Sequence, residues 1–269
     1  MRRIADVVRV AGATVVALGA VACSQGGAEV ATTPISSPPP ATAEESMDVV
    51  LSVDFDEANG PLGQGAPVAD DSGHHMTGTI TLGGLPTEPL TAVPGREGQA
   101  LRFARPCDGE VSFCPKGIVE FPSTALLNPG ARDFRFGASV LMSPEETSDG
   151  ANVVQKGFNT GGLGQWKLQV DGDAGLPSCA VVGVEEGENF VVTAKTPVAD
   201  GQWHQLECVR TGGNLAVLVD GVESNRKSIT VGTVVEPPSA VRIGGKSVKR
   251  DNDQFFGVID DVFLAISPE

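Results

Sequence analysis

Residues 201–221, GQWHQLECVRTGGNLAVLVDG, carry the pattern that constrains the fold most. Two runs of alternating apolar and polar residues flank the turn Thr211–Asn214, and a second turn follows at Asp220-Gly221. The apolar residues of each run share one face: Leu206, Cys208, Leu215, Val217 and Val219. A period of two with one polar face predicts an antiparallel hairpin that covers a core on one side.

The chain beyond Met47 repeats this kind of pattern at short intervals. Asp133–Met142 is the clearest single strand, because every second residue from Phe134 to Met142 is apolar. Further strands are predicted at residues 49–55, 99–104, 117–121, 152–158, 165–171, 178–183, 190–196, 224–229, 241–244 and 255–266. No long segment after Met47 has a helical stripe, and 34 glycines and 19 prolines favour short strands joined by turns. The sequence therefore predicts an all-β fold, a two-sheet antiparallel sandwich.

The first 22 residues are typical of a secretory leader. A basic start precedes an apolar run, Val10–Ala22, which is shorter than the roughly 20 residues of a membrane span. Cys23 follows at once, and the stretch Ala20–Gly27 resembles the lipobox of bacterial lipoproteins, although Ala20 stands where leucine is usual. We therefore expect a lipoprotein signal peptide at residues 1–22 and a lipid anchor on Cys23. The protein would then be exported and held on the outer face of the cell membrane, with secretion as the alternative.

Residues 23–47 are predicted to form a disordered tether after the lipidated cysteine. They are rich in Pro, Ser, Thr and Ala and have no apolar periodicity, so they cannot bury enough surface to offset the entropy of ordering. One domain is predicted over residues 48–269. The formal net charge of -15 argues against nucleic acid as a partner, because such a surface repels phosphate groups.

Five cysteines leave one unpaired if the others form disulfides, and Cys23 at the leader boundary is the odd one. We expect Cys107–Cys114, which closes a short loop, and Cys179–Cys208, which would join strands of one sheet. Four cysteines allow three connectivities, and the sequence alone leaves the choice open.

Several separate motifs resemble, in order, the laminin-G-like and concanavalin A-like lectin/glucanase domains. They are Phe55–Glu57 with Asp70–Gly73, Gly95–Phe103, Trp203–Gly221, Ile243–Gly245 and Phe255–Val262. The resemblance covers nearly all of residues 48–267, and it implies a LamG-type jelly roll.

The closing strand predicts a β-bulge, because its apolar residues change phase between Ile259 and Val262. In domains of the resembling family, an aspartate of this strand helps to hold a structural calcium ion together with oxygens from early in the chain. Calcium takes 6–8 oxygen ligands. The resemblance therefore implies a calcium site, whose candidate ligands are Asp54, Asp56, Asp260 and Asp261. The alternative is that these carboxylates cap turns or accept backbone hydrogen bonds.

The function is the least constrained property. Aromatic residues make up only 5% of the chain and tyrosine is absent, which argues against a strong glycan site. Trp166, Phe255 and Phe256 are the candidate platform residues for a sugar, and burial in the core is the competing interpretation. The E-x-D-x-x-E pattern that the glucanases of this fold carry is absent.

We therefore predict a non-catalytic binding or adhesion module whose ligand is a glycan or an envelope protein. A glucanase-like enzyme with an unrecognised site and a ligand-free structural spacer are the alternatives.

Overall fold

A computed structural model describes residues 47–107, 113–159, 163–185 and 188–269. The predicted leader, Cys23 and the tether up to residue 46 lie outside the described residues. The described residues form seventeen β-strands and two short 3₁₀ turns, Ala125–Leu127 and Pro144–Glu146. Within them, no helix has the length and apolar character needed to cross a membrane.

Along the chain the strands are β1 (Asp48–Val53), β2 (Pro61–Leu62), β3 (Pro67–Ala69), β4 (Thr77–Gly83), β5 (Leu90–Pro94), β6 (Gln99–Arg102), β7 (Lys116–Phe121), β8 (Phe134–Leu141), β9 (Ala151–Gly157), β10 (Gln165–Asp171), β11 (Leu176–Val182), β12 (Asn189–Thr193), β13 (Trp203–Thr211), β14 (Asn214–Val219), β15 (Val222–Ser228), β16 (Val241–Ile243) and β17 (Val258–Ile266).

The strands form two antiparallel sheets. The nine-stranded sheet has the order β15-β14-β13-β8-β17-β6-β5-β2, and β1 also pairs with β17. The eight-stranded sheet has the order β12-β11-β10-β9-β16-β7-β4-β3. Apolar faces of both sheets contribute to one core, in which the Phe136 and Trp166 ring centroids lie 4.9 Å apart. The predicted two-sheet sandwich is confirmed.

The hairpin predicted at residues 201–221 forms as expected. Strands β13 and β14 pair from Leu206↔Val219 to Thr211↔Asn214, which leaves a two-residue turn. The next turn, between β14 and β15, holds Asp220 and Gly221 at φ values of 52° and 74°. Positive φ at both central residues is what a two-residue hairpin turn with the correct twist requires. Local residue chemistry therefore determines this part of the fold.

Both expected disulfides are present. Cys107 and Cys114 have their Cα atoms 5.8 Å apart, and Cys179 and Cys208 have theirs 5.6 Å apart. The prediction that Cys179–Cys208 joins strands of one sheet is wrong. Cys179 lies on β11 of the eight-stranded sheet and Cys208 on β13 of the nine-stranded sheet. Both side chains point into the core from opposite layers, so the bond crosses the sandwich.

The sequence predicts no strand between residues 56 and 98, and the structure has four there: β2, β3, β4 and β5. Strands β2 and β3 have two and three residues. Strand β4 mixes threonine with glycine, and its partner β7 lies far along the chain. The region combines two short hairpins, β3 with β4 and β5 with β6, with the distant pairing of β4 and β7, and none of these is evident from an alternating pattern.

The lateral edge formed by β12 and β15 is fastened, and we call it the closed edge. Asn225 Nδ2 donates to the Thr193 carbonyl at 2.8 Å, and the Lys195 amide donates to Ser224 Oγ at 2.9 Å. The disulfide between β11 and β13 lies one strand inward in the eight-stranded sheet. This edge is therefore tied across both layers.

Candidate functional site

Side chains on the outer face of the eight-stranded sheet line up across seven strands. Neighbours along each strand, such as Val154 next to Gln155 and Leu168 next to Lys167, belong to the core, so these side chains point away from it. We call this set the outer row: Thr79, Glu120, Arg242, Gln155, Lys167, Ala180 and Val191.

A second row lies beside it on the same face: Asn152, Gln169, Ser178 and Thr193. Asn152 Nδ2 donates to Gln155 Oε1 at 2.6 Å, which links the two rows. Asn152 Oδ1 and Gln169 Oε1 are buried and have no hydrogen-bond partner in the structure. A buried acceptor without a partner costs about 1–3 kcal/mol. Asn152 is completely buried, so its oxygen is not accessible to a ligand on this face, whereas the Gln169 side chain is partly exposed.

The charged groups of this face are largely paired. Lys246 Nζ lies 2.9 Å from Asp253 Oδ1, and Asp171 accepts hydrogen bonds from Gln169 at 2.6 and 2.7 Å. Burial lowers the pKa of Lys167, although the attraction of Asp253 and Asp171 opposes this effect. The exposed part of the face thus presents the Gln169 amide and compensated charges, which can bond to a polyhydroxylated ligand, whereas Asn152 and Gln155 are buried.

Phe158 is an aromatic side chain next to this face that sequence reasoning missed. It is 39% exposed, and the Arg242 guanidinium carbon lies 5.7 Å from its ring centroid. Strand alternation assigns Phe158 to the core side, but β9 ends at Gly157, whose φ of 89° redirects the chain. A glycine directly before an aromatic residue was the available signal.

Two of the three predicted platform residues are in the core. Trp166 and Phe255 are fully buried, and Phe255 packs edge-to-face on Phe103 with centroids 6.3 Å apart. The prediction that they contact a sugar is wrong, because neither ring has a solvent-facing surface. Phe256 is partly exposed and stays a prediction.

The predicted bulge in the closing strand is confirmed. In the pairing of β17 with β8, Asp260 is opposite Ser139 and Phe263 is opposite Gly137, so β17 contains one extra residue. Asp261 lies in this bulge with a φ of 47°. The extra residue reorients the two carboxylates relative to a regular strand.

Asp56 and Asp260 meet around the turn Gly95–Gly98. A Cβ atom on Gly98 would overlap the Asp56 carboxylate, and one on Gly95 would lie 2.5 Å from Asp260 Oδ2. Asp56 Oδ1 also accepts from the Gln99 amide at 2.8 Å. Burial, followed by repulsion from Asp261 and Asp56, raises the pKa of Asp260 to about 7.

The other two candidate calcium ligands make different contacts. Asp54 Oδ1 accepts from the Asp56 amide at 2.9 Å, and Asp261 Oδ2 accepts from the Ser139 hydroxyl at 3.0 Å. In the part of the chain that the structure describes, no three His, Cys, Asp or Glu side chains form a metal-binding group. Asp56 and Asp260, beside the backbone of a tight turn, fit calcium only if carbonyl oxygens complete the ligand set.

Solved structures share this fold. Domain 4 of AbnA, a GH43 extracellular arabinanase from Geobacillus stearothermophilus in complex with arabinotriose, has a TM-score of 0.58 and 15% identity; 83% of this chain and 94% of that chain are covered. The binding domain of Paraclostridial Mosquitocidal Protein 1 has a TM-score of 0.57 and 13% identity, with 82% of this chain covered. The binding domain of Botulinum neurotoxin DC, in complex with rat synaptotagmin II, has a TM-score of 0.55 and 12% identity, with 81% of this chain covered.

This chain spans about half the length of the two toxin domains, 49% and 48%. Identities this low show a common fold and nothing more. No curated protein sequence matches. A family model described as the concanavalin A-like lectin/glucanases superfamily matches residues 119–265, which is more than half of the chain. The chain belongs to the concanavalin A-like lectin/glucanases superfamily.

Proposed function

We propose that this protein is a non-catalytic binding module that holds a glycan against the outer row and the second row. The observation that carries the proposal is the exposed ring of Phe158, which lies beside Arg242 on a face where Lys167 and Gln169 are also partly exposed. Polar groups of these side chains bond to sugar hydroxyls. Phe158, exposed at the side of the same face, provides an apolar surface on which a sugar ring stacks.

The structural neighbours support a binding role without defining the ligand. The arabinanase domain is described in complex with arabinotriose, and the two toxin domains are described as binding domains. These statements concern those proteins. An envelope protein remains the alternative ligand for this chain.

The site can be tested with a glycan array and a reducing-sugar assay on the full chain. We expect binding to a restricted set of glycans and no release of reducing ends. Phe158→Ala should weaken binding by about tenfold, which corresponds to roughly 1.4 kcal/mol. Phe113→Ala, which removes another exposed aromatic ring elsewhere, is the matched control.

Equal binding by both variants would show that Phe158 is not a platform. Release of reducing sugar would contradict the non-catalytic proposal and favour the glucanase-like alternative. A blank array would favour a protein ligand or the spacer.

We also propose that the module is exported and anchored by lipid on Cys23. Two disulfides in the described domain are typical of an oxidising compartment outside the cytosol. Cys23→Ala should move the protein from the membrane fraction to the soluble fraction. Retention of this variant in the membrane fraction would contradict the anchor.

Finally, we propose that Asp56 and Asp260 hold a structural calcium ion. Its role would be to offset the charge of the buried Asp260 carboxylate, whose neighbours Asp261 and Asp56 are also acidic. Calcium prefers hard oxygen ligands, and the carbonyl groups of the Gly95–Gly98 turn would complete the set.

A further inference from the structure

The lateral edge opposite the closed edge opens into a cleft of about 460 Å³. It lies where each sheet ends, with Leu62 of β2 and Pro67–Ala69 of β3 in its wall. The segment that follows β1 supplies further lining residues, from Asp54 to Asn59. We call this the open edge. Its volume lies within the range of about 300–1,000 Å³ that is usual for ligand sites.

The interior of the cleft is apolar. Phe55 and Val68 are nearly completely buried, and Leu62 and Ala58 pack against the same core. An aliphatic chain that enters the cleft would be removed from water, which contributes roughly 0.8 kcal/mol for each buried methylene group.

The polar part of the lining is acidic. Asp54, Glu57 and Asp71 are its three charged residues, and none of the described lining residues is Lys or Arg. Burial, then repulsion from Asp54 and Glu57, raises the pKa of Asp71. The three carboxylates therefore lack a compensating cation within the lining, and a positively charged group would relieve their mutual repulsion.

Two other occupants fit the cleft poorly. A metal ion is disfavoured, because no three metal-ligating side chains are grouped among the described residues and backbone oxygens would have to complete the ligand set here too. The chain's own residues 24–47 contain neither lysine nor arginine, so they provide no matching charge.

Addition of a strand from another chain is also disfavoured. Pro61 and Pro67 lie in the two edge strands, and proline has no amide hydrogen to donate. The ligand group that matches both the acidic residues and the apolar interior of the cleft is a cation on an aliphatic stem, and it must come from another molecule.

We propose that the open-edge cleft receives a basic side chain from an apolar-flanked segment of a protein partner. The carboxylates of Asp54, Glu57 and Asp71 would bind the cationic head, and the apolar interior would cover the stem. This site is separate from the glycan-binding face, so it does not depend on the proposed function.

The test is a titration of the full chain with the peptide acetyl-Ala-Leu-Lys-Leu-Ala-amide. Binding is measured by the changes in NMR chemical shift of the backbone amides that line the cleft. The same peptide with norleucine in place of lysine measures the contribution of the charge. Glu57→Gln and Asp71→Asn remove single charges with little change of shape. Asp173→Asn, in an exposed turn between β10 and β11, is the matched control for net charge.

We expect the lysine peptide to bind the unaltered chain and the Asp173 variant alike, and to bind the Glu57 and Asp71 variants at least tenfold more weakly. The norleucine peptide should also bind at least tenfold more weakly. Equal binding of the two peptides, equal binding by all variants, or no shifts at cleft amides would each overturn the proposal.

Glu57 is exposed, so its substitution should leave the melting temperature unchanged and separate binding from folding. Glycan binding should be unaffected by Glu57→Gln. Failure at the cleft and failure at the outer face can thus be told apart.

Discussion

The two lateral edges of the sandwich contrast in how they are held. At the closed edge, Cys179–Cys208 links the sheets inside the core, and Asn225 Nδ2 bonds to the Thr193 carbonyl at 2.8 Å. At the open edge, β2 and β3 are two and three residues long and border an acidic cleft. The closed edge carries the cross-links that stabilise the fold, and the open edge carries acidic residues with no basic residue in the cleft lining. The cross-links that stabilise the fold and the proposed site for a basic segment therefore lie at different edges of the sandwich.

The largest expected effect comes from removing the link at the closed edge. Loop-closure entropy for a separation of 29 residues predicts a loss of about 3.6 kcal/mol in the free energy of unfolding for Cys179→Ala with Cys208→Ala. The same double change at Cys107 and Cys114, separated by 7 residues, should cost about 2.4 kcal/mol. Denaturant unfolding measures both. The reverse order would show that the closed edge does not depend on its disulfide.

The second effect concerns calcium beside the open edge. If free calcium reaches 100 times its Kd, it should stabilise the folded chain by about 2.7 kcal/mol, which is a rise of roughly 5–10 °C in Tm. Asp260→Asn should abolish this rise. Asp54→Asn should retain it, because Asp54 contacts the Asp56 amide instead. A Tm that is the same in chelator and in millimolar calcium would contradict the proposal.

A smaller effect is expected from the hydrogen bonds across the closed edge. Asn225→Ala removes the bond to the Thr193 carbonyl and should cost about 1 kcal/mol in unfolding free energy. Glu223→Gln breaks an exposed ion pair with Arg226 in the same strand and should cost much less. If the two variants were equally stable, the cross-edge bond would contribute nothing to holding the layers together.

The smallest effect is a pH dependence of stability that arises at His204, near the start of β13. His204 Nδ1 lies 2.8 Å from Asp220 Oδ2, and Nε2 lies 3.2 Å from Asp200 Oδ1. Burial opposes its charge, but the hydrogen bonds to Asp220 and Asp200 prevail and raise the pKa of His204 above 6.5. Its stabilisation is thus complete below the unfolded pKa and is lost as pH rises through the higher folded pKa.

Unfolding measured from pH 5.5 to 8.5 should show a larger loss in the unaltered chain than in His204→Gln, because Asp260, with a pKa of about 7, titrates over the same range in both proteins. His74→Gln, in an exposed turn, is the control and should behave like the unaltered chain. An identical pH profile for all three proteins would mean that His204 makes no charge-dependent contribution.

The sequence predicts features that depend on neighbouring residues. Alternation around Gly212 and Gly213 identifies the hairpin, and the change of phase after Ile259 identifies the bulge. Features set by distant contacts are different. Alternation shows that Cys179 and Cys208 face inward but not from which layer, so the bond across the core was missed.

The candidate site shows the same division. The phase of Trp166 does not tell which side of β10 is covered, and the structure places it in the core. The pairing of β4 with β7, and hence the wall of the open edge, depends on contacts between residues far apart in sequence. Polar residues of the outer row become one surface only after seven strands are aligned.

The placement of the two sulfur bridges has a chemical consequence. Cys107 is exposed, whereas Cys179 and Cys208 have no solvent-accessible surface. A reductant added to the intact protein should therefore open the outer bridge first and reach the inner one only after the layers separate. If the protein is treated with a reductant and an alkylating agent together, alkylation of Cys179 and Cys208 would therefore mark the molecules that have unfolded during the treatment.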